Sequence, residues 1–291
     1  MLEFNSDFPA YVSLNGEVIP TSEAKISVFD RGFNFGDGVY EGLLIVNGVI
    51  LFEDAHWNRL QRSLKALDMS SDIAQLKLRI RTYLQHEEVA KNSAFLYVQI
   101  SRGVAMRGHQ YNKSISPTVF MYAINREVTD INETFLDTIS TPDNRWHRCD
   151  IKMTSLLGNV MAKTKAINTN CYESIMVRNG LITEGSHCNA FFVKNGRVFT
   201  HPADHHILNG ITRLKVVELC NELGIPFTEQ AVAYSELKTM DEAFLTGTST
   251  QIARIHKIDD HEFDINFKNS ITMRVQYAYA KLKRAYIKKV R

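Results

Sequence analysis

The stretch YEGLLIVNGVILF, residues 40–52, sets two apolar runs on either side of Asn47-Gly48. Asparagine followed by glycine accepts the positive φ angles of a two-residue hairpin turn, so the stretch predicts two paired antiparallel strands. Three further Asn-Gly pairs have similar flanks: Asn15-Gly16 in YVSLNGEVI, Asn179-Gly180 in IMVRNGLIT and Asn195-Gly196 in FFVKNGRVF. Hairpins in both halves of the chain imply substantial antiparallel sheet. Residues 53–67 then carry Trp57, Leu60, Leu64 and Leu67 at helical spacing, and residues 72–89 repeat it through Ile73, Leu76, Ile80 and Leu84.

Residues 94–103 and 117–125 read as strands, as do 173–177, 190–193, 243–245 and 251–255, while helices fit 156–168, 212–223 and roughly 269–289. The most polar connection is INREVTDINET, residues 124–134, and it divides two α+β domains.

The 291 residues, 44% of them apolar and 23% charged, can bury a sizeable core without disulfide staples. Fifteen glycines and six prolines exclude collagen-like and low-complexity classes. The formal charge of +2 is uneven: the last eleven residues, KLKRAYIKKVR, hold six cations and no acid, and the rest of the chain carries −4. A basic face tracking phosphates along the whole protein is therefore excluded. Cys149, Cys171, Cys188 and Cys220 form no CxxC pair, and MLEFNSDFPA has two acids and no apolar run, so reduced thiols in a cytoplasm are expected. No stretch approaches the length of a membrane helix.

Several segments could carry chemistry. In NGITRLKVVELCNELG, residues 209–224, a Gly-Ile-Thr turn opens a helix, so amides, the helix dipole and the Thr212 hydroxyl can converge on an anion; taken alone, a capped helix without a ligand is the commoner source of such a pattern. The loop TGTST, residues 246–250, adds hydroxyl donors, although such loops are often plain turns. Together they point to a phosphate-bearing cofactor, which neither GxGxxG nor GxxxxGK[ST] supplies here. Lys152 reads as a strand lysine between Ile151 and Met153, where desolvation would free its amine for Schiff-base chemistry or its stem would snorkel to a surface. HPADHH offers His201, His205 and His206, but Pro202 makes a loop and no carboxylate or cysteine pattern completes a zinc site, so no metal is expected.

At DRGFNFGDGVYEG, residues 30–42, the chain resembles the fold-type IV pyridoxal-phosphate enzymes, a class that includes D-amino acid aminotransferases, branched-chain aminotransferases and aminodeoxychorismate lyases. The likeness continues through HWNRLQRSL, CDIKMTSLLGNVMAK, CYESIMVRNGLITEGS, THPADHHILNGITR and MDEAFLTGTST, from about Ser13 to Ile258. It implies a smaller N-terminal α/β domain over residues 1–125, a linker at 126–134, and a larger cofactor-binding domain over 135–291 with a mixed, barrel-like sheet and flanking helices. Lys152 matches the lysine that holds pyridoxal 5′-phosphate as a Schiff base and shuttles the substrate proton. Glu184 matches the carboxylate facing the pyridine nitrogen, and Ser186 a serine beside the cofactor. Arg59, the Ile211 and Thr212 amides and Thr248 match the phosphate grip, and Leu208 the apolar residue against the ring.

Within the family, RGVAMRGHQY, residues 102–111, is most similar to D-amino acid aminotransferases. Arg107 and His109 match an Arg-x-His pair that, with a tyrosine matching Tyr40, binds the substrate α-carboxylate. In the family that loop reaches across from the neighbouring subunit, which implies a homodimer. Met106 stands where those enzymes usually carry proline, Gly108 where alanine is common, and Ser186-His187-Cys188 replaces a run of serines. Glu41-Gly42 looks more like branched-chain aminotransferases. The resemblance thus implies a ping-pong transaminase moving the amino group of a D-amino acid, D-alanine first, to a 2-oxo acid such as 2-oxoglutarate. A branched-chain L-amino acid aminotransferase and an aminodeoxychorismate lyase remain alternatives, and a nucleic-acid module using the basic tail is a reading of another class, set against a terminal helix whose cations complement its dipole.

Overall fold

The computed structural model describes residues 8–86, 93–265 and 270–291. Its chain divides into two compact units, one made of Met1–Val128, Ile151–Ser155 and Tyr286–Arg291, the other of Thr129–Asp150 and Leu156–Ala285. The short segment carrying Lys152 thus belongs with the first unit.

The first unit runs β1 (Tyr11–Leu14), β2 (Glu17–Pro20), α1 (Arg31–Phe35), β3 (Gly38–Val46), β4 (Val49–Ile50), α2 (Glu53–Ala66), α3 (Ile73–Gln85), β5 (Ala94–Ser101) and β6 (Thr118–Asn125). Its six strands lie in the order β2-β1-β6-β5-β3-β4, antiparallel throughout. At the β3–β4 turn, Asn47 and Gly48 take φ of 51° and 79°, the left-handed pair that the sequence predicts. Along β5 alternate residues are buried, and Leu96, Val98 and Ile100 meet Trp57, Leu60 and Leu64 of α2 and Leu76 and Ile80 of α3 in one core. Asp72 caps α3 by accepting from the Gln75 amide at 3.0 Å. The helix expected over 72–89 is seen to Gln85; residues 87–89 lie outside the described residues, as do 1–7 of the N-terminal segment and Asn269 of the last helix.

The second unit runs β7 (Phe135–Pro142), α4 (Leu157–Asn168), β8 (Glu173–Arg178), β9 (Leu181–Gly185), β10 (Asn189–Lys194), β11 (Arg197–Thr200), α5 (Ile211–Glu222), β12 (Phe227–Glu229), β13 (Glu242–Gly247), β14 (Gln251–Ile258) and β15 (His261–Glu262), with α6 (Ile271–Val290) belonging to it as far as Ala285. The sheet order is β12-β11-β10-β13-β14-β7-β8-β9, with β15 on β14. It is mixed, since β11–β12, β14–β7 and β7–β8 pair in parallel. Its core gathers Ile175, Ile182, Phe192, Leu245, Ala253 and Ile255.

Two features bear on the sequence reading. Of the C-terminal cations, Lys283 is 3% exposed and donates to the Thr129 and Asp130 carbonyls, and Arg284 pairs with Asp130, while Lys281, Lys288 and Lys289 are exposed. All four cysteines are free thiols; Cys149, Cys188 and Cys220 are buried, and Cys171 is half-buried. Burial pushes the Cys149 and Cys220 thiols up to about 11.

Candidate active site

In the first unit, Lys152 is positioned by its neighbours. Ile151 and Met153 are buried in the core, Met153 forms an isolated bridge with Val39, the Lys152 amide donates to Ser63 Oγ at 3.2 Å, and its carbonyl accepts from the Tyr40 amide at 3.0 Å. The strand expected here is therefore a correction: the apolar-Lys-apolar alternation is real, but β3 offers this segment only one bridge. With both flanks anchored, the Lys152 ammonium lies 4.1 Å from the centroid of the Tyr40 ring. Tyr40 in turn stacks on Tyr97 at 5.4 Å, and Tyr97 on Tyr122 at 5.1 Å, a ladder across β3, β5 and β6.

The next residue of β3 points the other way. Glu41 is fully buried and accepts Arg59 Nε at 2.8 Å and Arg59 Nη2 at 2.7 Å, with His56 Nδ1 2.7 Å away. Burial alone would raise its pKa, but Arg59 and then His56 hold it at about 2. Burial, opposed by Glu41, drives His56 below its ordinary value. Glu41 takes two of the five N–H donors of Arg59. The signature that looked branched-chain-like is thus the partner that orients the expected phosphate arginine.

The Arg107-Gly108-His109 segment is tied down from behind. Arg31 at the start of α1 is 4% exposed and donates to the Gly108 carbonyl at 2.7 Å, that of Gln110 at 3.3 Å and that of His109 at 3.5 Å. Asp37 receives Arg31 Nε and Arg102 Nε, each at 2.8 Å; burial raises its pKa, but the two guanidiniums lower it overall. Arg107 stands 5.0 Å from the Phe35 ring centroid and the His109 ring 6.2 Å from it, so the pair gathers around Phe35.

In the second unit, Glu184 of β9 is buried and accepts Arg145 Nη1 at 2.6 Å, Asn189 Nδ2 at 2.8 Å and the Leu208 amide at 3.1 Å. Burial pushes its pKa up to about 7, against the pull of Arg145 and the Leu208 amide. Arg145 also clamps Asp143 through Nε and Nη2, and Asp143 takes Arg178 at 3.0 Å and the Thr183 hydroxyl at 2.9 Å. Two carboxylates and two guanidiniums therefore share one buried network.

Gly210 precedes α5 with no side-chain cap, so the first amides of the helix, from Ile211 and Thr212, keep their anion-binding capacity. A Cβ at Gly210 would lie 2.2 Å from Asn189 Oδ1, and glycine is what lets Asn189 pass beneath to reach both Glu184 and the Leu208 carbonyl. The Thr212 hydroxyl turns instead to Tyr279. Thr248 lies on the turn after β13, and Thr246 Oγ1 before it is buried without a hydrogen-bond partner.

Ser186 donates to Glu173, a fully buried carboxylate that also faces His187 Nδ1 at 2.5 Å. Burial lowers the His187 pKa, but Cys188 and Glu173 together raise it to about 11. Cys188 Sγ lies 3.2 Å from Thr250 Oγ1, which the Tyr172 hydroxyl also meets at 2.9 Å. Sequence reasoning named Ser186 but missed Glu173, Arg145 and Asn189. Of these, only the acid-x-Arg spacing of Asp143 and Arg145 left a trace in the sequence.

Residues 38–258 match the family described as Amino-transferase class IV, and the chain belongs to that family of pyridoxal-phosphate enzymes. It is 37% identical to the D-alanine aminotransferase of Bacillus licheniformis over 270 residues, 92% of this chain and 95% of that one. Among solved structures it is similar to the branched-chain aminotransferases of Thermoproteus uzoniensis, solved with norvaline (26% identity, TM-score 0.86, 96% of each chain), and Escherichia coli (26%, 0.87, 95% of each). These are fold-type IV enzymes, and the α+β fold is theirs. Among the described residues no helix is long and apolar enough to cross a membrane.

Proposed function

We propose that this aminotransferase moves the amino group of a D-amino acid, D-alanine foremost, to a 2-oxo acid such as 2-oxoglutarate by a ping-pong route. The observation that carries the reading is the Arg107-Gly108-His109 segment, whose three successive carbonyls, from Gly108 to Gln110, are held by buried Arg31. A guanidinium on a braced loop is suited to grip an α-carboxylate through two parallel bonds. The relatives named D-alanine aminotransferase, 34 to 37% identical, support the same donor.

The residues fit pyridoxal 5′-phosphate. The uncapped start of α5 at Ile211 and Thr212 suits its phosphate, Thr248 and Arg59 would add donors, Leu208 would pack against the ring, and Glu184 would meet the ring nitrogen, with Ser186 beside them. When bound, the cofactor supplies an electron sink for the charge left as the α-proton departs. Lys152 Nζ would hold the cofactor, and the same amine would take that proton and return it. The Tyr40 ring at 4.1 Å orients the amine, and the Arg145 contact restrains the Glu184 carboxylate.

A homodimer is part of the proposal. Val28, Phe33, Val104 and Met106 are exposed apolar side chains on and beside the segments that carry Arg31 and Arg107, which favours a second copy as their cover. Light scattering that returned only monomer would remove this part. Assaying D-alanine and L-leucine with 2-oxoglutarate tests the donor: D-alanine is expected to react, and activity with L-leucine alone would overturn the reading. The branched-chain alternative is favoured by the two solved neighbours at 26% identity, and the same assay decides between them.

A further inference from the structure

The loop HPADHH gains from the fold the third ligand that its own spacing lacks. His147, on the connection after β7, brings one ligand nitrogen within 4.8 Å of those of His205 and His206. Ring centroids are 4.0 Å apart for His205 and His206, 5.6 Å for His147 and His206, and 6.2 Å for His147 and His205. His147 and His205 are exposed and His206 is half-buried, so the cluster opens to solvent. Its backbone is already fixed: the Cys149 amide donates to the His205 carbonyl at 2.9 Å, and Arg145 Nη2 to that of His206 at 3.1 Å. Asp204 Oδ1 accepts the His206 amide at 2.8 Å and lies 3.5 Å from His206 Nδ1, where a carboxylate can orient a ligating imidazole.

We propose that His147, His205 and His206 form a binding site for a zinc-class divalent cation. Imidazole nitrogens suit such borderline ions and not magnesium or calcium, and three of them leave a fourth tetrahedral position for water. Ligands at ~2.1 Å in a tetrahedron are about 3.4 Å apart, so atoms now within 4.8 Å of one another must close by up to about 1.4 Å. Side-chain torsions of two exposed histidines can supply that movement. The ion then joins the two loops that deliver Arg145 and the Leu208 amide to Glu184, and binding it stabilises the second unit.

Zinc chloride is titrated calorimetrically into the full-length, cofactor-loaded protein without a polyhistidine tag. One equivalent is expected to bind, the thermal midpoint to rise, and His147→Ala and His205→Ala each to weaken binding at least tenfold. Both side chains are exposed, so the midpoints of these variants without zinc should match the wild type. Absence of zinc binding, or unchanged affinity in His147→Ala, overturns the proposal. So does loss of binding in Cys188→Ser with both histidine variants unaffected, which places the ion at Glu173, His187 and Cys188, whose ligand atoms also lie within 4.8 Å of one another.

Discussion

Arg145 donates to Glu184 at 2.6 Å with both side chains buried, and the same guanidinium holds Asp143. Replacing it by methionine strands two carboxylates in a low-dielectric interior. Arg145→Met should cost about 3–5 kcal/mol, the penalty for breaking a buried pair from one side. Urea unfolding of wild type and variant measures it, and a loss under about 1 kcal/mol would mean that water reaches the network.

Stability should fall at both ends of the pH range for different reasons. Folded Glu41 titrates at about 2 against an ordinary 4.5, so its stabilisation is complete above pH 4.5 and is lost as pH falls toward 2. Folded His187 titrates at about 11 against 6.5, so its contribution is full below pH 6.5 and is lost as pH rises toward 11. Thermal midpoints measured from about pH 3 to pH 10 should show both slopes. Glu41→Gln should make the acid limb shallower, with Asp37 and Asp143 still contributing to it, and His187→Gln should make the alkaline limb shallower.

With the Arg107 loop gripping the substrate carboxylate as proposed, Arg31 would act on substrate through the loop it braces. Arg31→Met removes charge-assisted bonds worth about 1.5–3 kcal/mol, so the KM for the amino donor should rise by about tenfold or more, with a smaller change in kcat. Equal losses in kcat and kcat/KM would show that Arg31 serves the chemical step instead.

Gly210→Ala drives a methyl group into Asn189 Oδ1. Overpacking of this kind costs about 1–3 kcal/mol, and here it displaces the amide that bonds Glu184. Retention of pyridoxal phosphate, followed by visible absorbance on dialysis, should weaken by about tenfold. Unchanged retention would show that the start of α5 tolerates a side chain.

Local rules made much of the fold legible. Asn-Gly turns at residues 47–48, 179–180 and 195–196 fell where positive φ was needed, and the Trp57, Leu60, Leu64 spacing found α2. Lys152 misled because alternation of apolar residues marks anchored flanks as readily as a strand. The site's electrostatics were hidden for a different reason. Glu41 reads as a substrate marker until Arg59, 18 residues on, turns up beside it, and Arg145 reaches Glu184 across 39 residues. Such pairs are decided by sheet order, which no local pattern encodes.

The distribution of thiols makes the protein convenient to instrument. With Cys149, Cys188 and Cys220 buried, a maleimide dye should attach to Cys171 alone. The next residue, Tyr172, bonds Thr250 at the end of the hydroxyl-rich turn. A fluorophore there would sit one residue from a contact to the turn proposed to meet the phosphate, an optical gauge of cofactor loading that the native chain accepts without mutation.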